Sequence, residues 1–492
     1  MPRTATAVRP MPSPAKEKIM KKSLKATLLS ASILALGASI AFADDNDAFT
    51  LQSGQDNTAL ILQSGVGSNV AGSSDHAITQ DGDDNTLRIE QIADDIRGGR
   101  QNFVGAGSVD AVDNDYAGFL QQGDDNTATI RQDGDRNRVF QLKQIGNDNG
   151  ATVSQTGSFN GVTSISQSSD GNSVSVTQTG SQNLVGRSQY RALPRSSQNE
   201  TESGIYQNGG NNTLTISTVG DRNRTYVAAQ NSTGFAAGNQ ASLEILGSDN
   251  GQTGFGTGFA AGLGMDSRFV VAGLERSVVR QTGSNGLDVT INGNDNAYGF
   301  IQTGTAGLTA SVRGSDNQLA VGQNIGIGQA LRDDAIVTIT GSGNDVGLNQ
   351  TTNSGASARV SADIDIDGSN NRLGITQTQN GNATSSLVVS LVGSGNNATS
   401  LGGFTGDAGS IFFNRTPGYL EQGGSNNTME LKVGAVGSPS DNNLFSMRQS
   451  SSNNTINGTI MGSNNQAVVS QSGGDMATFT QNGSFNNIGV RQ

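Results

Sequence analysis

The side chains that most often carry chemistry are scarce in this sequence. His76 is the only histidine and there is no cysteine. A histidine-centred triad, a site with several histidine ligands, a thiolate metal centre and thiol catalysis therefore cannot be built within one chain. Carboxylates do cluster, at Asp81/Asp83/Asp84, Asp124/Asp125 and Asp133/Asp135. Calcium takes several hard oxygens from a loop, so these clusters admit a calcium-binding β-roll. Against it, the spacing is eleven or twelve residues, not nine, and paired glycines are mostly absent. The other reading is solvated turns whose charge keeps strand edges from pairing prematurely. A polysaccharide-cleaving β-helix would need acids gathered on a strand face, where this chain places mainly Ser and Thr. No enzymatic activity, cofactor, bound metal or small-molecule substrate is expected.

What recurs is amide. Glutamines stand eleven residues apart in Gln52/Gln63, Gln80/Gln91, Gln121/Gln132, Gln144/Gln155, Gln178/Gln189 and Gln481/Gln492, each pair enclosing Q-x-G-x-x-N-x-[aliphatic]-x-x-x-Q. The enclosed asparagines are Asn57, Asn85, Asn126, Asn149, Asn183 and Asn486. Partial copies at Gln207/Gly209/Asn212, Gly247/Asn250, Gly293/Asn296, Gly314/Asn317 and Gly393/Asn396 carry the pattern along the chain.

Alternate residues within the repeat read Asn85-Leu87-Ile89-Gln91 and Asn126-Ala128-Ile130-Gln132, while the opposite parity reads Thr86, Arg88, Glu90 and Thr127, Thr129, Arg131. Period two with fixed parity predicts half-buried strands. Turns such as Gly-Asp-Asp-Asn supply positions that tolerate a left-handed backbone. One such segment buries too little to stand alone, but a stack of copies makes a continuous narrow core. Inward amides, costly in an ordinary core, can then donate and accept along the stack as a ladder. The expected fold is all-β, a repetitive β-solenoid or cross-β stack of strand–turn–strand rungs with irregular inserts. About 22 residues per rung at ~4.8 Å each gives roughly twenty rungs and a body near 100 Å long.

Composition agrees. Of 492 residues, 68 are Gly and only 33% are hydrophobic, with no Trp, so a broad close-packed core is excluded. Disorder is disfavoured by only 15% charged residues and 7 prolines. Three of those prolines (Pro194, Pro417 and Pro439) follow residue 43, all outside the clear repeats.

The N-terminal region reads as an export signal. A basic stretch from Met20 to Lys25 precedes an apolar run from Ala26 to Ile40, and Ala41-Phe42-Ala43 offers cleavage between Ala43 and Asp44. The expected organisation is an upstream extension at 1–19, with Met20 as the candidate start of translation, a signal peptide at 20–43 and a repeat region at 44–492. Residues 1–43 hold seven bases and one acid, so the remainder carries 23 bases and 41 acids, a net charge of −18. Nucleic acid and anionic membrane surfaces are thereby disfavoured as partners.

The repeat resembles the curlin repeat of curli subunits, S-x5-Q-x-G-x-x-N-x-A-x3-Q, at the Gln, Gly, Asn and aliphatic positions quoted. Clean copies cover 50–91, 119–189 and 471–492. The resemblance implies a secreted structural subunit of extracellular, pilus-like amyloid fibres on a Gram-negative cell surface, serving adhesion and biofilm. It implies self-association, other curli-type subunits and an outer-membrane secretion channel as partners. A non-polymerising β-solenoid adhesin and the calcium β-roll are the alternatives. Residues 92–118, 190–204, 225–243, 251–280, 319–335 and 400–418 depart from the pattern, as bulging loops or functional inserts.

Overall fold

The computed structural model describes residues 46–65, 68–93, 100–105, 118–186, 204–232, 238–252, 277–283, 285–304, 307–325, 332–352, 359–380, 385–411 and 416–492. The expected extension, signal peptide, cleavage site and Gln189 lie outside them. The unit from Asp44 to Gln492 is a β-solenoid. The chain runs along one strand, turns a corner, returns along a second strand and turns again, rising one strand spacing per turn. Every inter-strand pairing between its named strands is parallel, as in Arg138–Ile145 with Gly161–Ser168 on the first face and Gly150–Thr156 with Ser173–Thr179 on the second.

The core is one line of aliphatic side chains two strands thick. Leu87, Ile89, Ala128, Ile130, Ala151, Val153, Val174 and Val176 are all 2% exposed or less. The intervening Thr86, Arg88, Thr127 and Arg131 are exposed, so the period-two pattern sorts the faces as the residue types require. Each turn adds little apolar area, and the second face of one turn closes against the first face of the same turn.

Among the described residues the first face holds sixteen turns, one for each of the glutamines named below. At ~4.8 Å per turn the described stack is about 70 Å long, against the 100 Å expected from an uninterrupted repeat. Several inserts leave at one recurring place. Val104 pairs with Val139 and Gly118 with Gln141, so the first-face strand is interrupted at mid-length between Val104 and Gly118. Val185 pairs with Val162 and Ile205 with Ile165, and the chain departs again at the same point. Ala71 and Ile78 bracket a shorter excursion there.

Within the stretches expected to break the pattern, several residues are in register. Gln318–Ile325 is an unbroken first-face strand paired along its length with Asp345–Thr352. Val227–Asn231 and Val278–Thr282 pair with each other in the same way. There the strand persists while the adjoining corner lengthens, which destroys the spacing read from the sequence but not the stack.

Candidate functional site

A single column of glutamines runs the length of the first face: Gln52, Gln80, Gln121, Gln144, Gln167, Gln207, Gln230, Gln281, Gln302, Gln323, Gln350, Gln377, Gln422, Gln449, Gln471 and Gln492. Each Nε2 donates to the Oε1 of the next, from Gln52 to Gln80 at 2.6 Å through to Gln471 to Gln492 at 2.9 Å. The second hydrogen of many of these amides goes to a backbone carbonyl: Gln144 Nε2 also reaches the oxygens of Thr127 and Asn149, at 3.1 and 2.9 Å. On the second face a shorter column joins Gln63, Gln91, Gln132, Gln155 and Gln178 at 2.8 to 2.9 Å. It stops where Gln178 meets Thr218.

Asparagines close both corners. One column runs Asn57, Asn85, Asn126, Asn149, Asn172, Asn212 and Asn239, each Oδ1 accepting the backbone N–H of the next. The other begins at Asn46, whose Oδ1 accepts the Asn69 N–H at 2.9 Å, and passes through Asn69, Asn102, Asn137, Asn160 and Asn183 to Asn465 and Asn486. Buried amides, costly when unpaired, are thus satisfied by their own counterparts one turn away.

Two further columns were not read from the sequence. The motif glycine stacks on glycine: a Cβ on Gly157 would lie 2.2 Å from the carbonyl oxygen of Gly180, and one on Gly82 2.0 Å from that of Gly123. No side chain fits, and φ there is 106° and 134°, which also favours glycine. The residue after the glycine accepts a backbone N–H from the turn before. Asp83 Oδ1 takes Gln55 N–H at 2.7 Å, Asp124 takes Asp83, Asn147 takes Asp124 and Asp170, which follows Ser169 in the glycine's place, takes Asn147. Elsewhere Ser342, Ser369 and Ser394 do the same through Oγ. The signal in the sequence is Gly followed by Asp, Asn or Ser, which as turn chemistry alone does not disclose a ladder.

This places the acidic clusters. Asp83 and Asp124 are backbone acceptors, while Asp56, Asp84, Asp125 and Asp148 occupy the left-handed position of successive corners, with φ of 53° to 57°. Desolvation first, then the neighbouring Asp125, Asp56, Asp83 and Asp124, hold the Asp84 carboxyl above its ordinary range. Among the described residues no group of three or more His, Cys, Asp or Glu could hold a metal ion. His76 sits in the short excursion at 72–77, its backbone N–H on Ser73 Oγ at 3.1 Å.

Of the glutamines and asparagines singled out in the sequence, all described ones but Gln481 lie in these columns. Gln481 stands opposite Ile460, with Nε2 on the carbonyl of Gln466 at 2.8 Å and Oε1 without a partner. The motif is intact there, but the turn beneath carries an aliphatic residue where the ladder needs an amide.

No curated protein matches the chain. The family model of the curlin associated repeat matches twice, at residues 123–157 and 146–180. The two matches are offset by 23 residues, the separation that joins Gln121 to Gln144 and Gln132 to Gln155. Each match therefore advances by one turn of the solenoid through the stretch where both glutamine columns and both asparagine columns are complete. Over these turns the chain carries the curlin repeat.

Proposed function

We propose that the chain is a secreted structural subunit of extracellular curli-like fibres, with self-association as its function. The observation that carries this reading is the first-face column, in which sixteen glutamines are joined by fifteen hydrogen bonds, all donated in one direction from turn to turn. A ladder of that kind has no internal stop, and its outermost members present the same chemistry to another molecule as to their neighbours. The curlin match supports a structural role outside the cell. Adhesion, a biofilm matrix, companion curli-type subunits and passage through an outer-membrane channel after removal of residues 1–43 complete the proposal.

The test is assembly of the purified chain, followed by thioflavin T fluorescence, electron microscopy and fibre diffraction. Unbranched fibres with a meridional reflection near 4.7–4.8 Å are expected. A chain that remains monomeric at high concentration is instead a non-polymerising adhesin. N-terminal sequencing of exported material should begin at Asp44, and a chain retaining Met1 or Met20 would remove the export step.

A further inference from the structure

We infer that successive copies in a fibre are related by a half-turn about the solenoid axis, so that the first face of one molecule continues as the second face of the next. This rests on the self-assembly proposed above.

The two ends of the described stack are unequal. At one end the outermost strands are Asp47–Ala48 and Thr50–Ser53 on the first face and Thr58–Gly65 on the second. At the other they are Asn487–Arg491 on the first face and Met476–Asn482 on the second. Because the chain climbs steadily and crosses faces midway through each turn, the first-face strand stands half a spacing further out at both ends. Stacking without rotation would bring first-face strands together at one spacing and leave second-face strands two spacings apart. The edges of Met476–Asn482 and Thr58–Gly65 would then face a gap that neither copy fills, with their N–H and C=O groups unpaired. A half-turn sets Thr50–Ser53 on Met476–Asn482 and Thr58–Gly65 on Asn487–Arg491, each at one spacing.

The side chains brought together by the half-turn are complementary. Asn57 lands on Asn486. In the existing column each backbone N–H goes to the preceding Oδ1, as Asn486 N–H goes to Asn465 at 2.8 Å. The N–H of Asn57 and the Oδ1 of Asn486 are the two groups left to repeat that bond. Gln63 lands on Gln492 and Gln52 on Gln481. Gln492 and Gln481 each give one amide hydrogen to a carbonyl, of Met476 at 3.0 Å and Gln466 at 2.8 Å, and keep a second. No donor reaches the Oε1 of Gln52 or Gln63 among the described residues, so the one-way donation continues across the junction. Leu60 and Leu62, 42% and 44% exposed, come to lie beside Gly489 and Arg491.

The chain has no cysteine, so paired cysteines report the junction directly. In register, the half-turn sets Leu51 beside Thr480, whereas unrotated stacking sets it beside Arg491. Fibres of Leu51→Cys/Thr480→Cys and of Leu51→Cys/Arg491→Cys are treated with dibromobimane, which fluoresces only on bridging two neighbouring thiols, and run on denaturing gels. The inference expects a fluorescent ladder of covalent oligomers from the first variant and monomer from the second. Leu62→Cys/Arg491→Cys against Leu62→Cys/Thr480→Cys repeats the comparison on the other strand, with the ladder again expected from the first. Fibres that ladder in the opposite pattern, or in neither, overturn the half-turn while leaving the fibre reading intact. Wild-type chain that forms no fibres overturns both.

Discussion

Residues 123–180 and residues 286–392 belong to the same stack but hold together differently. In the earlier region both faces are regular strands, both glutamine columns are complete, and the corners repeat without insertion. In the later region the first face keeps its glutamines, but the second is reduced to two-residue pairings such as Arg332–Asp333 with Arg359–Val360 and to isolated bridges: Asn292 with Arg313, then Thr340, Asp367 and Val392. Among the described residues of that face no glutamine stands inward. Leu308, Ala310, Val312, Val337 and Ile339 fill the space, each 5% exposed or less. Leu308 and Ala310 adopt φ of 107° and 106°, strained for side chains of their type. One glutamine column, one asparagine column and an aliphatic core are thus enough to maintain the rise per turn, and the second face can be a regular sheet without a glutamine column of its own, as Thr428–Val433, Thr455–Met461 and Met476–Asn482 show. The curlin match falls where both glutamine columns are present.

That difference can be broken most severely at the glycine column, which the earlier region shares on both corners. Gly157→Ala forces a Cβ against a backbone carbonyl at a positive φ. It should cost at least about 3 kcal/mol, read as a large fall in thermal midpoint or failure to fold. Next come the ladders themselves. Gln144→Ala strands a donor on Gln121 and an acceptor on Gln167, both linked at 2.9 Å, and should cost about 1–3 kcal/mol. Gln323→Ala removes longer links, 3.4 and 3.1 Å, and should cost clearly less in the same denaturation assay. Equal losses would mean that the two regions depend on the amide column alike.

Acid should separate the corners more gently. The Asp84 carboxyl is raised, so the folded state holds its proton more tightly than the unfolded chain does. Its contribution is complete below the ordinary carboxylate value and is lost as pH rises through the folded one. Asp249 is the reverse: its hydrogen bond from Arg222 holds the carboxyl low, and that contribution is lost as pH falls. Asp84→Asn should therefore flatten a small stabilisation on acidification, seen in thermal midpoints between neutral pH and pH ~4, and Arg222→Gln a small destabilisation, seen as pH falls below ~4. The smallest effect is expected of metal removal: assembly in EDTA should match assembly without it, whereas a chain that folds only on adding calcium would favour the β-roll.

Much of this was legible in the sequence because each repeat is its own template. Asn85-Leu87-Ile89-Gln91 gives the parity, and the parity gives the inward amides. What was not legible depends on the neighbouring turn. Gln481 has a complete motif yet meets Ile460 and makes no ladder. Conversely, Gln323 sits in a stretch without the motif and is fully in column, because a corner can lengthen while the strand keeps its register. The glycine column was visible as a letter but not as a reason, since the carbonyl that excludes a side chain comes from a residue 23 positions away in the case of Gly157 and Gly180.

The central claim is that inward amides, not outward polar residues, hold the stack and its extension. It is tested most directly by thioflavin T kinetics of two double variants within the earlier region. Asn149→Ala/Gln155→Ala removes one turn's share of two columns, and Thr127→Ala/Thr129→Ala removes only outward hydroxyls. The first should lengthen the lag or abolish assembly, and the second should follow the wild-type curve, with a stability change within ~0.5 kcal/mol. Equal behaviour of the two variants would contradict the account.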